Sequence, residues 1–342
     1  MSMRNHEITN EQALLNQDGD IAEPGWSRRQ LQQYCRQDIK ASKFKIKEWD
    51  YYLVLSKQFG VAFTISDEGY LGLQSVTFID FTEPSEHTET IMNMMPLGKG
   101  GLPSNSSTGD TVFRNKRLSM NFRVAPGKRQ IQCTFSKFNR DKNFSCDITL
   151  QQPPEMETMV IATPWDQKKH FYYNQKINCM RATGWVRYGS QYYQFNPKED
   201  FASLDWGRGV WTYDNTWYWS NGNCNVNGKA FGFNLGYGFG NTQAATENVI
   251  IYDGIVHKLD DVTFHMDESD FMKPFKITSS DNRFEMEFKP IINRSAKIDY
   301  KLIISEQDQV FGHMSGIAVL DDGTKIELKD VLCFCEKVHN KY

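Results

Sequence analysis

The sequence predicts an all-β protein made of two antiparallel sheets or barrels. Three observations lead there. After Lys45 the apolar residues recur at every second position, the period at which a strand sends side chains to alternate faces. Turn-forming groups, among them Asp67-Glu68-Gly69, Pro126-Gly127 and Asn139-Arg140-Asp141, separate these runs at short intervals. A chain of 342 residues is also longer than one such sheet needs, and it shows no short-period repeat of the propeller or solenoid kind.

The first forty residues are polar and are expected to wrap the surface. Within them "SRRQLQQYCRQDI" predicts a short helix, with Ser27 as cap and Gln30 as capping-box partner. Leu31, Cys35 and Ile39 would share one face of it. "YYLVLS", "VAFTIS", "LGLQSVTFIDF", "RLSMNFRV", "QIQCTF" and "SCDITL" follow as strands rich in β-branched and aromatic residues. "QQPPEMET" reads as a strand-ending linker, and it places the domain division between residues 152 and 180, giving domains 1–165 and 166–342. In the second half "GWVRYGSQYYQF" predicts a hairpin around Gly189-Ser190, and Asp322-Gly323 marks another tight turn. "RFEMEFKPI" alternates as a strand, and Asn196-Pro197-Lys198-Glu199 predicts a single helical turn.

The net charge of −3 supplies no basic field for nucleic acid or an anionic membrane surface. No run is long and apolar enough for a signal peptide or a membrane span, so a soluble cytoplasmic protein is expected. Seven scattered cysteines suit reduced thiols better than a disulfide framework. The sequence leaves the oligomeric state open.

The segment "LDWGRGVWTYDNTWYWSNG" (204–222) holds half of the eight tryptophans. On a strand Trp217 and Trp219 share a face opposite Tyr218, and Trp211 pairs likewise with Tyr213. One set can fill a core. Several indoles together, each with an N–H to satisfy, better fit the wall of a ligand pocket to which Trp206 also belongs. Asp205 and Arg208 flank Gly207 in "DWGRG". Against aromatic walls Asp205 would have its pKa raised and become a proton donor, whereas pairing with Arg208 would hold it ionised; a purely structural Asp–Arg bridge is the third option. Gly232, Gly236, Gly238 and Gly240 lie in strand-like sequence with no helix after them, so they form no dinucleotide fingerprint and instead let a neighbour or ligand come close. Asn234, Tyr237, Glu247 and Asn248 are therefore candidate polar groups of the pocket. His170, Tyr173, Lys176, Asn115 and Lys116 are further candidates, His170 for acid–base work. Cys333, Cys335 and His339 lack the second ligand pair a structural zinc site needs, so no metal is expected. Serine-hydrolase elbows and phosphate-binding loops are absent.

"KEWDYY" (47–52), "PLGKGGLP" (96–103), "FRNKR" (113–117), "HFYYNQKINCM" (170–180), "LDWGRGVW" (204–211), "NLGYGFGN" (234–241), "ATENVIIYDG" (245–254) and "CEKVHNKY" (335–342) together resemble the family of domains of unknown function numbered 2804, from about residue 8 to the C-terminus. Cys333 and Cys335 depart from it, standing where Gly and Ala are expected. More distantly the pattern is similar to the two-domain lipocalin-like group of carotenoid hydratases and fungal decalin-forming cyclases. That resemblance implies two tandem lipocalin-like, calycin-type barrel or sandwich domains holding a hydrophobic ligand within or between them.

Three functions fit these residues. The first is a cofactor-independent enzyme of hydratase, lyase, isomerase or cyclase type acting on a small hydrophobic or cyclic substrate. Asp205 would donate the proton and Glu247 be the second carboxylate. Arg208 and Asn234 would orient the ligand, and Trp211, Trp217 and Trp219 would stabilise positive charge. The second is a carbohydrate-active enzyme that stacks sugars on tryptophan and uses two carboxylates. The third is a non-catalytic carrier of a small molecule.

Overall fold

A computed structural model describes residues 4–299 and 304–341 of the chain. The period-two runs are strands throughout, and every hairpin turn named above joins two of them. The larger sheet has 13 strands. Its path runs Ser85–Met94, Leu71–Asp80, Phe59–Asp67, Ile46–Leu55, Phe201–Val210, Phe171–Tyr188, Lys142–Gln151, Lys128–Asn139, Leu118–Ala125 and Thr111–Arg114. Met159–Pro164, Gln191–Phe195 and Gly25–Ser27 are attached beside it. The second sheet has nine strands, centred on Lys229–Tyr237, Asp214–Val226, Lys325–Lys341 and Ile304–Val319. Each sheet curls into an antiparallel half-barrel, and together they form the tandem lipocalin-like pair.

The chain passes from one sheet to the other between Val210 and Asp214. The strands from Phe171 to Val210, placed with the second half on sequence, thus pair within the first sheet. The reason is non-local. Phe201–Val210 lies in full register against Ile46–Leu55, a pairing that no turn signal announces. The segment 27–39 is not a helix either. It is extended chain with a two-residue strand and one 3-10 turn at Arg36–Asp38. Leu31 and Tyr34 are both buried, and a helix would not need to wrap across both units as this segment does. Trp26 pairs with Ile161 of the first sheet, while the Arg28 guanidinium donates to Glu157 and to the Val256 carbonyl of the second.

Strand parity sorts the side chains into three layers. In Phe201–Val210 the even positions Leu204, Trp206 and Val210 enter the core of the first unit. Tyr52 and Val54 of Ile46–Leu55 meet them there. Positions of opposite parity, Trp49, Tyr51, Leu53 and Tyr172, face the second sheet instead. That sheet answers with Trp219, Phe311 and Phe334, while Phe233, Leu235, Cys333 and Cys335 turn to its own core. Cys333 and Cys335 are therefore core residues, and all seven cysteines are free. No helix among the described residues is long and apolar enough to cross a membrane.

Gly207 shows how tightly the middle layer is packed. A Cβ there would lie 2.0 Å from the Trp49 ring. Trp49 cannot retreat, because Trp211 packs edge-on at 5.6 Å and Tyr172 lies near-parallel at 6.4 Å. Gly207→Ala is therefore expected to destabilise the protein by about 2–4 kcal/mol, an overpacking cost, measured by urea denaturation. A loss under about 0.5 kcal/mol, the range of an inert surface change, would mean that Trp49 has room to move.

Candidate functional site

The layer between the half-barrels brings charged groups together inside aromatic walls. Lys176, on Phe171–Tyr188, is buried with its ammonium 3.0 Å from Asp205 Oδ1. The same ammonium stands 4.0 Å from the centre of the Trp219 ring, a cation–π contact. Asn174 Nδ2 donates to Asp205 Oδ1 at 2.6 Å. Across the layer the Glu247 carboxyl accepts from Tyr172 Oη at 3.1 Å and from Asn234 Nδ2 at 3.1 Å. Trp219 Nε1 donates to Asn234 Oδ1 at 2.7 Å, which fixes that amide's orientation. Gly236 leaves space for the Glu247 carboxyl, since a Cβ would approach Oε1 to 2.6 Å. This is the close approach the glycine-rich stretch foretold.

A third buried carboxyl, Glu336 on Lys325–Lys341, accepts from Trp217 Nε1 at 3.3 Å and Gln309 Nε2 at 2.9 Å. Tyr51 packs edge-on to Trp219 at 6.0 Å. Trp49, Trp165, Tyr172, Trp211, Trp217 and Phe239 complete an aromatic wall with ring centres 4.9–6.4 Å apart.

Burial controls protonation here. Desolvation pushes the Glu247 carboxyl above the usual carboxylate range; the Lys176 charge and the Asn234 hydrogen bond offset it in part, and Asp205 adds to it. Desolvation likewise raises Glu336, against the charges of Arg294 and Lys176. The enclosed Tyr51 phenol is pushed up to about 12 by burial, and Tyr172 rises well above its usual value through burial and the nearby Glu247. The layer thus holds two carboxyls whose pKa values burial raises, beside Asp205, which is paired with Lys176.

Of the residues picked out on sequence, Asp205, Glu247, Lys176, Asn234, Trp211, Trp217 and Trp219 meet in this layer. Arg208, Trp206 and Tyr173 do not. Their parity sends them into the first unit, where Arg208 donates to Asp50 Oδ1 at 3.1 Å with its guanidinium 4.1 Å over the Trp206 ring. The Asp205–Arg208 pairing, one of the options the sequence left open, does not form, because residues three apart on a strand face opposite ways. Tyr173 Oη donates to the Gln32 carbonyl at 2.7 Å. Tyr237 stacks on Tyr218 at 4.8 Å on the far side of the second sheet, and Tyr213 is exposed with Lys341 over its ring. Asn248 braces backbone, its Oδ1 accepting from Gly236 N and its Nδ2 donating to the Asp260 carbonyl. Asn115 caps a turn through Arg117 N and Leu118 N, beside an exposed Lys116. His170 contacts the Lys168 carbonyl and Lys45 Nζ, and burial lowers its pKa. Sequence reasoning passed over Trp49, Tyr51, Tyr172 and Glu336, although parity with Leu53, with Asn174 and with Phe334 would have placed each on this face.

An open cleft of about 610 Å³ is lined by residues of both sheets and their connections, among them Leu55, Lys57, Asn223, Cys224, His313 and Leu332. A row of amides leads inward from it. Asn223 Oδ1 accepts from Asn178 Nδ2 at 3.0 Å, and Asn178 and Asn221 pair reciprocally at 2.9 and 3.1 Å. Asn221 Nδ2 then reaches Asn234 Oδ1 at 3.4 Å, next to Glu247.

Comparison with known proteins adds the following. The kievitone hydratase of Nectria haematococca superposes over 86% of this chain and 88% of its own, with a TM-score of 0.50 and 8% identity. An ATTH protein of Nitrosomonas europaea covers 89% of this chain and 96% of its own, with a TM-score of 0.45 and 11% identity. At 8% identity the match to the hydratase shows a shared fold and nothing about activity. No curated protein matches the sequence. The profile of one family matches residues 5–342, and the chain accordingly belongs to the family Domain of unknown function (DUF2804).

Proposed function

We propose that this protein is a cofactor-independent acid–base enzyme of the hydratase type, working on a small hydrophobic or cyclic substrate between its two half-barrels. The observation that carries this reading is the buried Glu247 carboxyl, biased toward its acid form and held by Tyr172 and Asn234, facing the Lys176–Asp205 pair inside an aromatic wall. In this reading Glu247 gives its proton to one carbon of a double bond, whose π electrons form the new C–H bond. The faces of Trp219, Tyr172 and Phe239 stabilise the cation left on the neighbouring carbon. Water adds its oxygen there and passes a proton to Asp205. Solvent then restores both groups, the cleft at Asn223 being the route by which substrate and water approach.

Asp205 keeps its place among the acting carboxylates, but the donor role moves to Glu247 because Lys176 pairs with Asp205. The neighbour named kievitone hydratase supports the reading to the extent that this scaffold accommodates hydration. The test is incubation with a panel of cyclic and isoprenoid alkenes in ¹⁸O-labelled water. Expected is a product that gains one labelled oxygen and one solvent hydrogen. Cleavage of chromogenic glycosides with no hydration would favour the carbohydrate reading. An unchanged small molecule extracted from the purified protein, with no turnover of any alkene, would make it a carrier.

A further inference from the structure

Inside the first unit, away from the layer just described, a guanidinium is buried without a counter-charge. Arg129, on Lys128–Asn139, is 3% exposed. Its hydrogen bonds go to neutral acceptors, Gln152 Oε1 at 2.6 Å and Tyr52 Oη at 3.2 Å, and no carboxylate among the described residues lies within 4.0 Å. The neighbouring Asp50 is already taken, by Arg208 through Oδ1 and by Thr111 through Oδ2. An unpaired buried charge costs several kcal/mol unless something compensates it.

A second observation points at the same spot. Arg129 lines a small, partly open pocket of about 10 Å³ together with Tyr52, Ser106, Thr111 and Trp206. The Trp206 indole N–H is fully buried and has no acceptor. Arg129, bonded to neutral acceptors, and Trp206, whose N–H has no acceptor among the described residues, thus line one pocket with room for about one water-sized group. The segment from Pro103 to Thr111 borders it, held down by Arg208 Nη2 donating to the Pro103 carbonyl at 2.8 Å.

We infer that this pocket is a binding site for a monovalent anion no larger than a carboxylate group, held between the Arg129 guanidinium and the Trp206 N–H. The anion completes the charge balance of the first unit and accepts the hydrogen bond that Trp206 cannot otherwise make. A halide and the carboxylate end of an organic acid share this chemistry. This site stands apart from the proposed chemistry between the sheets, and its test needs no substrate.

The test uses the full chain. Thermal unfolding is followed at constant ionic strength while sodium methanesulfonate, which carries no carboxylate and is larger than one, is replaced by bromide or by formate. A rise in Tm of about 2 °C is expected at ten times Kd, growing with the logarithm of the anion concentration above that. Arg129→Gln should abolish that rise, and Trp206→Phe should weaken it. Which of bromide and formate acts identifies the source. Crystals of the unsubstituted protein grown in bromide should show anomalous scattering in the pocket, and this reading stands even if Arg129→Gln fails to fold. A pocket holding water alone at saturating bromide and formate would overturn the inference. So would a Tm rise that persists undiminished in Arg129→Gln, since that is a general salt effect.

Discussion

Glu247→Gln is expected to lower turnover at least about 100-fold, the scale of a lost general acid, while leaving the fold intact. Glutamine matches the neutral carboxyl in shape and keeps an oxygen for Asn234 Nδ2, while its own N–H can donate to Tyr172 Oη. Stability against pH gives a second reading of the same variant. Burial raises the Glu247 pKa above its unfolded value near 4.5. The protonated form is therefore the one the fold prefers. Its stabilising contribution is complete below the unfolded value and is lost as pH rises through the folded value. Glutamine cannot ionise, so the two proteins should unfold alike at low pH, and the variant should be the more stable one at neutral and alkaline pH. Glu336 shifts in the same direction, so part of the wild-type slope will remain. Coincident stability curves at every pH would show that Glu247 is not held in its acid form.

Lys176→Met should destabilise the protein by about 3–5 kcal/mol, because it leaves Asp205 buried and without its cation. Asp205 would keep Asn174 as a donor, but an amide does not balance a charge. Adding Asp205→Asn to the Lys176→Met protein should recover most of that loss, giving a coupling energy well above the measurement error of a double-mutant cycle. Chemical denaturation of the four proteins measures it. Stability and activity should then separate, with the doubly substituted protein folded and still inactive, since no base remains to take the proton from water. Additive losses from the two single changes would mean that the ion pair is not what holds this part of the layer.

The strands could be read from the sequence because a half-buried antiparallel sheet writes its period directly into the chain. Phe63, Ile65 and Val61 alternate in this way, and the turns at 126–127 and 322–323 carry glycines at positive φ. Sheet membership could not be read. Phe171–Tyr188 bonds to four different strands, and one of them, Phe201–Val210, pairs in turn with Ile46–Leu55 from far back in the chain. The helix expected at 27–39 rested on the spacing of Leu31, Cys35 and Ile39, which an extended, half-buried chain reproduces by coincidence. For the candidate site, residue chemistry picked out Asp205, Glu247, Lys176 and the tryptophans, which the structure gathers in one layer, but the only cation it weighed beside Asp205 was Arg208. Strand parity, applied consistently along the chain, is enough to separate Asp205 from Arg208 and Trp206 from Trp211. What parity cannot supply is the meeting of Lys176, Glu247 and Glu336 across two sheets, because that depends on how the half-barrels face each other.

The N-terminal segment carries a consequence for how the molecule is made. Arg28 reaches Val256, Asn5 receives the Thr246 N–H, and Arg4 bridges to Asp260, so these residues find partners more than 220 residues further along the chain. On the ribosome the contacts of Arg4, Asn5 and Arg28 with the second half-barrel cannot form until it has emerged. Loop closure over such a span is slow compared with hairpin formation. Those contacts therefore form late in folding. Until Gly25–Ser27 pairs with it, the edge strand Met159–Pro164 presents unpaired backbone to any other chain. The nascent protein is most prone to aggregate in that interval, and a chaperone that shields an exposed strand edge would act on it then.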